Sequence, residues 1–128
     1  MAPPVADVLV VANPAGLAEQ AADRFVEAAA KALSELGTFR VALSGGATPQ
    51  ALYARLAAEP FRSHVDWERV HVFWGDERCV SPDHPDSNYR RAQELLLSRV
   101  PIRPENVFRM RGEAADPDLA AAEYAGEL

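Results

Sequence analysis

Ten residues, Val41–Gln50, leave few folds open to this chain. They read Val-Ala-Leu-Ser-Gly-Gly-Ala-Thr-Pro-Gln. An apolar run of strand type and length, Phe39 to Leu43 around Arg40, breaks at Ser44-Gly45-Gly46 and restarts at Thr48-Pro49. Threonine is a good helix N-cap, and proline at the first helical position loses nothing, because that N–H has no intrahelical partner anyway. The stretch therefore predicts a strand, a glycine turn and a helix N-terminus in immediate succession. The free N–H groups of the first helical turn, at the positive end of the helix dipole, make an anion site. Gly45 and Gly46 let an anion approach the backbone without meeting a Cβ. Ser44 and Thr48 add hydroxyl donors. A bound phosphate is the central expectation, although a tight turn with no ligand uses the same pattern. The stretch is not a Walker A loop, which needs Gly-x-x-x-x-Gly-Lys-Ser/Thr. Nor is it the dinucleotide fingerprint, because no third glycine follows.

The rest of the chain alternates strands and helices around this turn. Val8–Ala12 reads as a buried strand ended by Asn13-Pro14. A long helix is predicted over Gly16–Leu36, with Leu17, Ala21, Phe25, Ala28, Ala29, Ala32, Leu33 and Leu36 on one face and Gly37 as its stop. Lys31 falls on the solvated face. The helix from Pro49 runs to about Ala58, with Leu52, Tyr53 and Leu56 inward. A connector leads from Phe61 to Trp67, with a short turn capped by Asp66. Val70–Trp74 is the next strand, and His71 within it reads as a strand-face residue. A helix follows from Ser87 or Asn88 to Ser98, then a short fourth strand over Val107–Met110. A last helix is opened by Asp116-Pro117 and carries Leu119 and Tyr124.

Such alternation implies parallel βαβ units, and the ligand crevice of a parallel sheet lies beyond the carboxyl ends of its strands. Gly75-Asp76-Glu77-Arg78 comes at one such end and the Ser44 loop at another. The two can face one pocket, which puts Arg78 and the carboxylates of Asp76 and Glu77 beside the phosphate loop. His84 lies in a polar loop near the pocket mouth, in a structural role.

Charge narrows the partners. The net charge is −6, which argues against nucleic acid but leaves room for a small anion at a local positive site. Of 13 basic residues only Lys31 is a lysine. Bidentate phosphate contacts therefore fall to arginine, whose planar fork suits them. The single cysteine, Cys79, allows no intrachain disulfide. The first basic residue is Arg24, and Val8–Ala12 is too short for a signal core or a membrane span. A cytoplasmic protein with no membrane partner is expected.

Three motifs in order carry a resemblance: Leu-Ser-Gly-Gly-Ala-Thr-Pro (43–49), Phe-Trp-Gly-Asp-Glu-Arg (73–78) and Asp-Ser-Asn-Tyr (86–89). With Pro104-Glu-Asn-Val107 and Arg109-Met110, they resemble the 6-phosphogluconolactonase family of the pentose phosphate pathway, within the glucosamine/galactosamine-6-phosphate isomerase superfamily. The resemblance covers the whole chain but only the front half of that family's domain. It implies a Rossmann-like α/β fold with a mainly parallel sheet and flanking helices, of which residues 1–128 form the N-terminal part. The last helix has only begun its apolar stripe at Leu128, so the fold is expected to continue, or another chain to supply the remainder.

By that resemblance, Ser44, Gly45, Gly46, Ala47 and Thr48 are the phosphate-binding loop, with Ala47 standing where a hydroxyl residue is usual. Arg78 is the arginine that reaches the phosphate, Asp76 an acidic catalytic residue, and Ser87-Asn88 a pair that shapes the pocket. Cys79, where an aromatic is frequent, reads as a small hydrophobe. The implied reaction is hydrolysis of 6-phospho-D-glucono-1,5-lactone, with no cofactor and no metal. The family's base is a histidine in an Asp-Gly-His segment, which His64, His71 and His84 do not match. Two rivals remain. Glucosamine-6-phosphate deaminase shares the loop, but a tyrosine commonly stands there in place of Arg78. A non-catalytic phosphosugar-binding domain is the other.

Overall fold

A computed structural model describes all 128 residues. The elements in order are α1 (Pro14–Leu36), β1 (Phe39–Leu43), α2 (Ala47–Leu56), β2 (Val70–Trp74), α3 (Asn88–Leu95) and α4 (Pro117–Glu127), with short 3-10 turns between them. Asn13 opens α1 by accepting the Gly16 N–H at 2.8 Å, and Pro14 takes the first turn, where no N–H is needed. Gly37 closes α1 in the left-handed region at φ 78° and returns its N–H to Leu33 O.

Both central strands fall on the residues that their sequence pattern marks. They pair in parallel with Phe39 opposite Val70 and Leu43 opposite Trp74. Helices pack on one face of this pair. There Phe39, Leu43, Val70, Val72 and Trp74 meet Ala22 and Ala29 of α1, Tyr53 and Leu56 of α2, Ala92 of α3 and Leu96 just beyond it. Phe25 of α1 lies edge-on to Phe39 and stacks on Trp67, with ring centroids 5.3 and 5.8 Å apart. The sixteen buried residues of this cluster are the main source of stability, since each large apolar side chain fully removed from water contributes about 1.5–3 kcal/mol.

Several expectations change. Val8–Ala12 forms no strand: Val8, Leu9 and Val10 are 77, 57 and 86% exposed. An apolar run becomes a strand only where an edge receives its hydrogen bonds, and none pairs with it. The Val107–Met110 segment makes a single parallel bridge, Val72 to Val107, with the Phe108 N–H donating to Val72 O at 2.8 Å, rather than a strand. The buried stripe of α1 runs through Ala18, Ala22 and Ala29, while Leu17, Ala28 and Leu36 face solvent. A helix rich in alanine says little about its own rotation, because a methyl is nearly neutral between core and water. The helix after Asn88 ends at Leu95 and tightens into a 3-10 turn, Leu97–Arg99. The Asp66 carboxylate pairs with Arg69 Nε at 2.7 Å instead of capping a turn, and Leu119 of α4 is exposed.

Candidate functional site

The Ser44 loop leaves the carboxyl end of β1 and enters α2 two residues earlier than its threonine predicts. Gly46, at φ 107°, occupies the N-cap position and no side chain caps the helix. Thr48 is the second helical residue and Pro49 the third, a place where the absent N–H is still no loss. The first helical bond runs from the Gln50 N–H to Gly46 O. The N–H groups of Gly46, Ala47 and Thr48 come before it and are left for another acceptor. Ser44, Gly46, Ala47 and Thr48 are all exposed.

One buried side chain holds this loop from below. The Tyr53 hydroxyl accepts the Ser44 N–H at 2.9 Å and donates to Ser44 O at 2.6 Å. Both polar groups of one peptide residue are thus satisfied by a phenol projecting from the helix that the loop begins. Burial raises the Tyr53 pKa, against the opposing pull of the Ser44 backbone bond, so the hydroxyl keeps its proton.

The second loop leaves β2 at Gly75, whose N–H reaches across to Leu43 O at 3.0 Å. Asp76 and Arg78 point to water, and the Arg78 guanidinium enters no ion pair. Glu77 turns inward instead. Its Oε1 accepts the N–H groups of Arg78 (2.8 Å) and Asn88 (2.7 Å). Its Oε2 accepts the Tyr89 N–H and the Ser87 hydroxyl, both at 3.0 Å. Ser87 in turn caps α3 by accepting the Arg90 N–H at 3.2 Å.

Asn88 joins the two loops. Its side-chain amide donates to the backbone O and to Oδ1 of Asp76, each at 3.3 Å. The same side chain lies so close to Gly45 that a Cβ there would sit 2.1 Å from Asn88 Oδ1. Gly45 is therefore required by a protein neighbour, whatever ligand it also admits.

The two loops meet at Asn88, as their places at neighbouring strand ends predict, but they line separate clefts rather than the one pocket expected, and the groups that fix them were missed. The bonds of Tyr53 and Tyr124 and the close approach at Gly112 carried no local signal, because their partners lie nine to fifty residues away, and Glu77 was marked by its motif but not by its inward turn. A Cβ on Gly112 would fall 2.1 Å from Arg78 O and 2.7 Å from Val80 O, so the Arg78–Val80 backbone rests directly on that glycine. The Tyr124 hydroxyl accepts the Trp74 N–H at 2.9 Å and donates to Phe108 O at 2.7 Å, tying off the end of β2.

The two loops line different clefts. Ser44 and Thr48 border an apolar groove of about 240 Å³ between α1, β1 and α2. Glu77, Arg78 and Cys79 line a separate cleft of about 170 Å³ against Met110, Gly112 and α4. Cys79 is exposed and does not pack as a small hydrophobe. His71 stacks 6.2 Å from Phe108, a strand-face role, and His84 Nδ1 accepts the Asp86 N–H at 3.0 Å, a turn role. No group of three or more His, Cys, Asp or Glu side chains is placed to hold a metal ion, and no helix is long and apolar enough to cross a membrane.

Known proteins share this sequence and this fold. A 6-phosphogluconolactonase of Synechocystis is 47% identical over 128 residues, all of this chain and 50% of the relative. The crystal structure of 6-phosphogluconolactonase from Thermotoga maritima superposes with a TM-score of 0.77 at 32% identity, covering 88% of this chain and 49% of that one. A monomeric glucosamine-6-phosphate deaminase superposes with a TM-score of 0.78 over 90% of this chain and 46% of that one, but at 19% identity, which speaks to the fold alone. The chain spans about half the length of the curated relatives it matches. With the family signature running through residues 12–128, the chain belongs to the glucosamine-6-phosphate isomerases/6-phosphogluconolactonase family.

Proposed function

We propose that this chain carries the phosphosugar-binding part of an enzyme that hydrolyses 6-phospho-D-glucono-1,5-lactone to 6-phospho-D-gluconate in the oxidative pentose phosphate pathway. The observation that supports the reading is the Asn88 side chain, which lies against Gly45 and donates to Asp76, so that the Ser44 loop with its open N–H groups meets the loop that carries Asp76 and Arg78. The phosphate takes the N–H groups of Gly46, Ala47 and Thr48, the nearby Ser44 and Thr48 hydroxyls, and the unpaired Arg78 guanidinium. Gly45 contributes the close approach of the backbone.

Hydrolysis adds water across the lactone C–O bond. A base takes a proton from water, the hydroxide oxygen bonds to the carbonyl carbon, and the ring oxygen leaves and collects a proton. The phosphate stands away from the reacting carbon, so its contacts orient the lactone and remove part of the entropic barrier. Asp76 is the acidic group at the site. It faces water and is steadied by a single side-chain amide, in reach of a sugar hydroxyl or of the attacking water. None of His64, His71 and His84 is assigned as the base.

A lactone-hydrolysis assay tests this. Arg78→Ala is expected to raise KM by about 10–100-fold, the worth of a charged hydrogen bond, with kcat nearly unchanged. If neither constant moves, the phosphate assignment of Arg78 fails. Release of ammonia from glucosamine 6-phosphate would replace the lactonase reading with the deaminase one.

A further inference from the structure

Glu77 stands between two candidate site residues, yet its own carboxylate is closed to chemistry. A carboxylate offers about four lone-pair sites. All four are taken here, two on each oxygen, by Arg78 N–H, Asn88 N–H, Tyr89 N–H and the Ser87 hydroxyl. Nothing is left to accept a proton from water. Three of the donors belong to the first turn of α3 and its cap, and the fourth is the peptide of Arg78 itself.

We propose that Glu77 is a positioning residue that hangs the Arg78 peptide on the N-terminus of α3 and so sets where the Arg78 guanidinium meets the substrate phosphate. The carboxylate suits the place because α3 presents unpaired N–H groups and a positive dipole end there, and charged hydrogen bonds are short and strong. Gly112 supports the same segment from the opposite side, against Arg78 O. Arg78 is thus fixed at both polar groups of its peptide, by a side chain at N–H and a close-packed backbone at O, while its guanidinium is free. Glutamine in place of Glu77 keeps the shape but points an NH2 group at donors, so about half of the clasp is lost.

The inference rests on the phosphate reading of Arg78, and the test separates the two. Calorimetric titration of the chain with 6-phosphogluconate and with gluconate measures how much affinity the phosphate supplies. Glu77→Gln is expected to weaken 6-phosphogluconate by about tenfold, one charged hydrogen bond's worth, and leave gluconate unchanged. Arg78→Ala should then cost markedly less in the Glu77→Gln background than in the wild type, because coupled residues are not additive. Ser87→Ala, which removes one of the four donors and keeps the carboxylate, should shift the same ratio in the same direction by less, and it stands in if Glu77→Gln does not fold. Equal weakening of both ligands, or additive losses in the double variant, would overturn the role of Glu77. Absence of any preference for 6-phosphogluconate in the wild type would overturn the functional reading and this role with it.

Discussion

The two loops at the strand ends do neighbouring jobs by opposite means. The Ser44 loop is secured from inside its own strand-turn-helix unit, by a neutral phenol nine residues further along. The Asp76 loop is secured from outside, by the start of α3, by Gly112 and by Tyr124 beneath the end of β2. The first is a local device that forms as soon as α2 forms. The second exists only when four separate stretches of chain have met. A loop that supplies backbone N–H groups needs only its own helix. On the proposed reading, the other loop has a long arginine side chain to aim, and its backbone is fixed against the rest of the domain.

The sharpest way to break that contrast is to crowd the glycines. Gly112→Ala should cost about 3 kcal/mol, because the new methyl meets backbone oxygens of Arg78 and Val80 that cannot swing aside. Its thermal unfolding midpoint should drop the most of the variants considered, and the Arg78–Val80 amide resonances should shift. Gly45→Ala meets a side chain instead, so Asn88 can rotate away by giving up its bonds to Asp76. A loss of about 2 kcal/mol is expected, with perturbed Asp76 signals as the mark of the uncoupled loops. A Gly45→Ala chain as stable as wild type would show that Asn88 is not wedged there.

Tyr53→Phe sharpens the comparison from the other side. It strands the Ser44 N–H and C=O together, at about 1–2 kcal/mol in denaturant unfolding, and should leave the amides of the Asp76 loop unmoved. Movement at Asp76 as large as at Ser44 would mean that the first loop is not locally held.

The smallest effect concerns Glu113, whose pKa is lowered to about 2 chiefly by the Arg109 hydrogen bonds at 2.7 and 2.9 Å. A depressed carboxylate stabilises the fold above its unfolded pKa of about 4.5 and loses that contribution as pH falls toward 2. The pair is about one-third exposed and so partly screened, which keeps the step small. Glu113→Gln should flatten that part of the stability–pH curve in chemical unfolding, and an unchanged curve would remove the pair from the account.

What the sequence disclosed follows the same division between local and distant. β1 and β2 were legible to the residue because each is a short apolar run bounded by turn residues. The Asp116-Pro117 start of α4 was legible because a cap is written in adjacent positions, and Asp116 does accept the N–H groups of Asp118 and Leu119 at 3.1 Å. The glycine turn was legible, although Gly46 rather than Thr48 takes the cap, because a left-handed glycine can end a strand and begin a helix in one step. Val8–Ala12 misled for the converse reason: its residues suit a strand, but pairing is a property of a neighbour. Glu77 was read as one of two site carboxylates because motif spacing shows which residues are adjacent, not which way each turns. Gly112 was silent, since only the backbone packed upon it makes it necessary.

The Tyr124 hydroxyl also decides how β2 breathes. The peptide hydrogen of Trp74 is bonded to a side chain fifty positions downstream and not to a rung of the ladder. Its exchange with solvent deuterium is therefore governed by the undocking of α4, whereas the hydrogens of the ladder itself open only when the two strands part. One amide at the rim of the site thus belongs, by its opening energy, to the last helix, and the residues that follow Trp74 inherit their steadiness from a turn of helix that the chain reaches last.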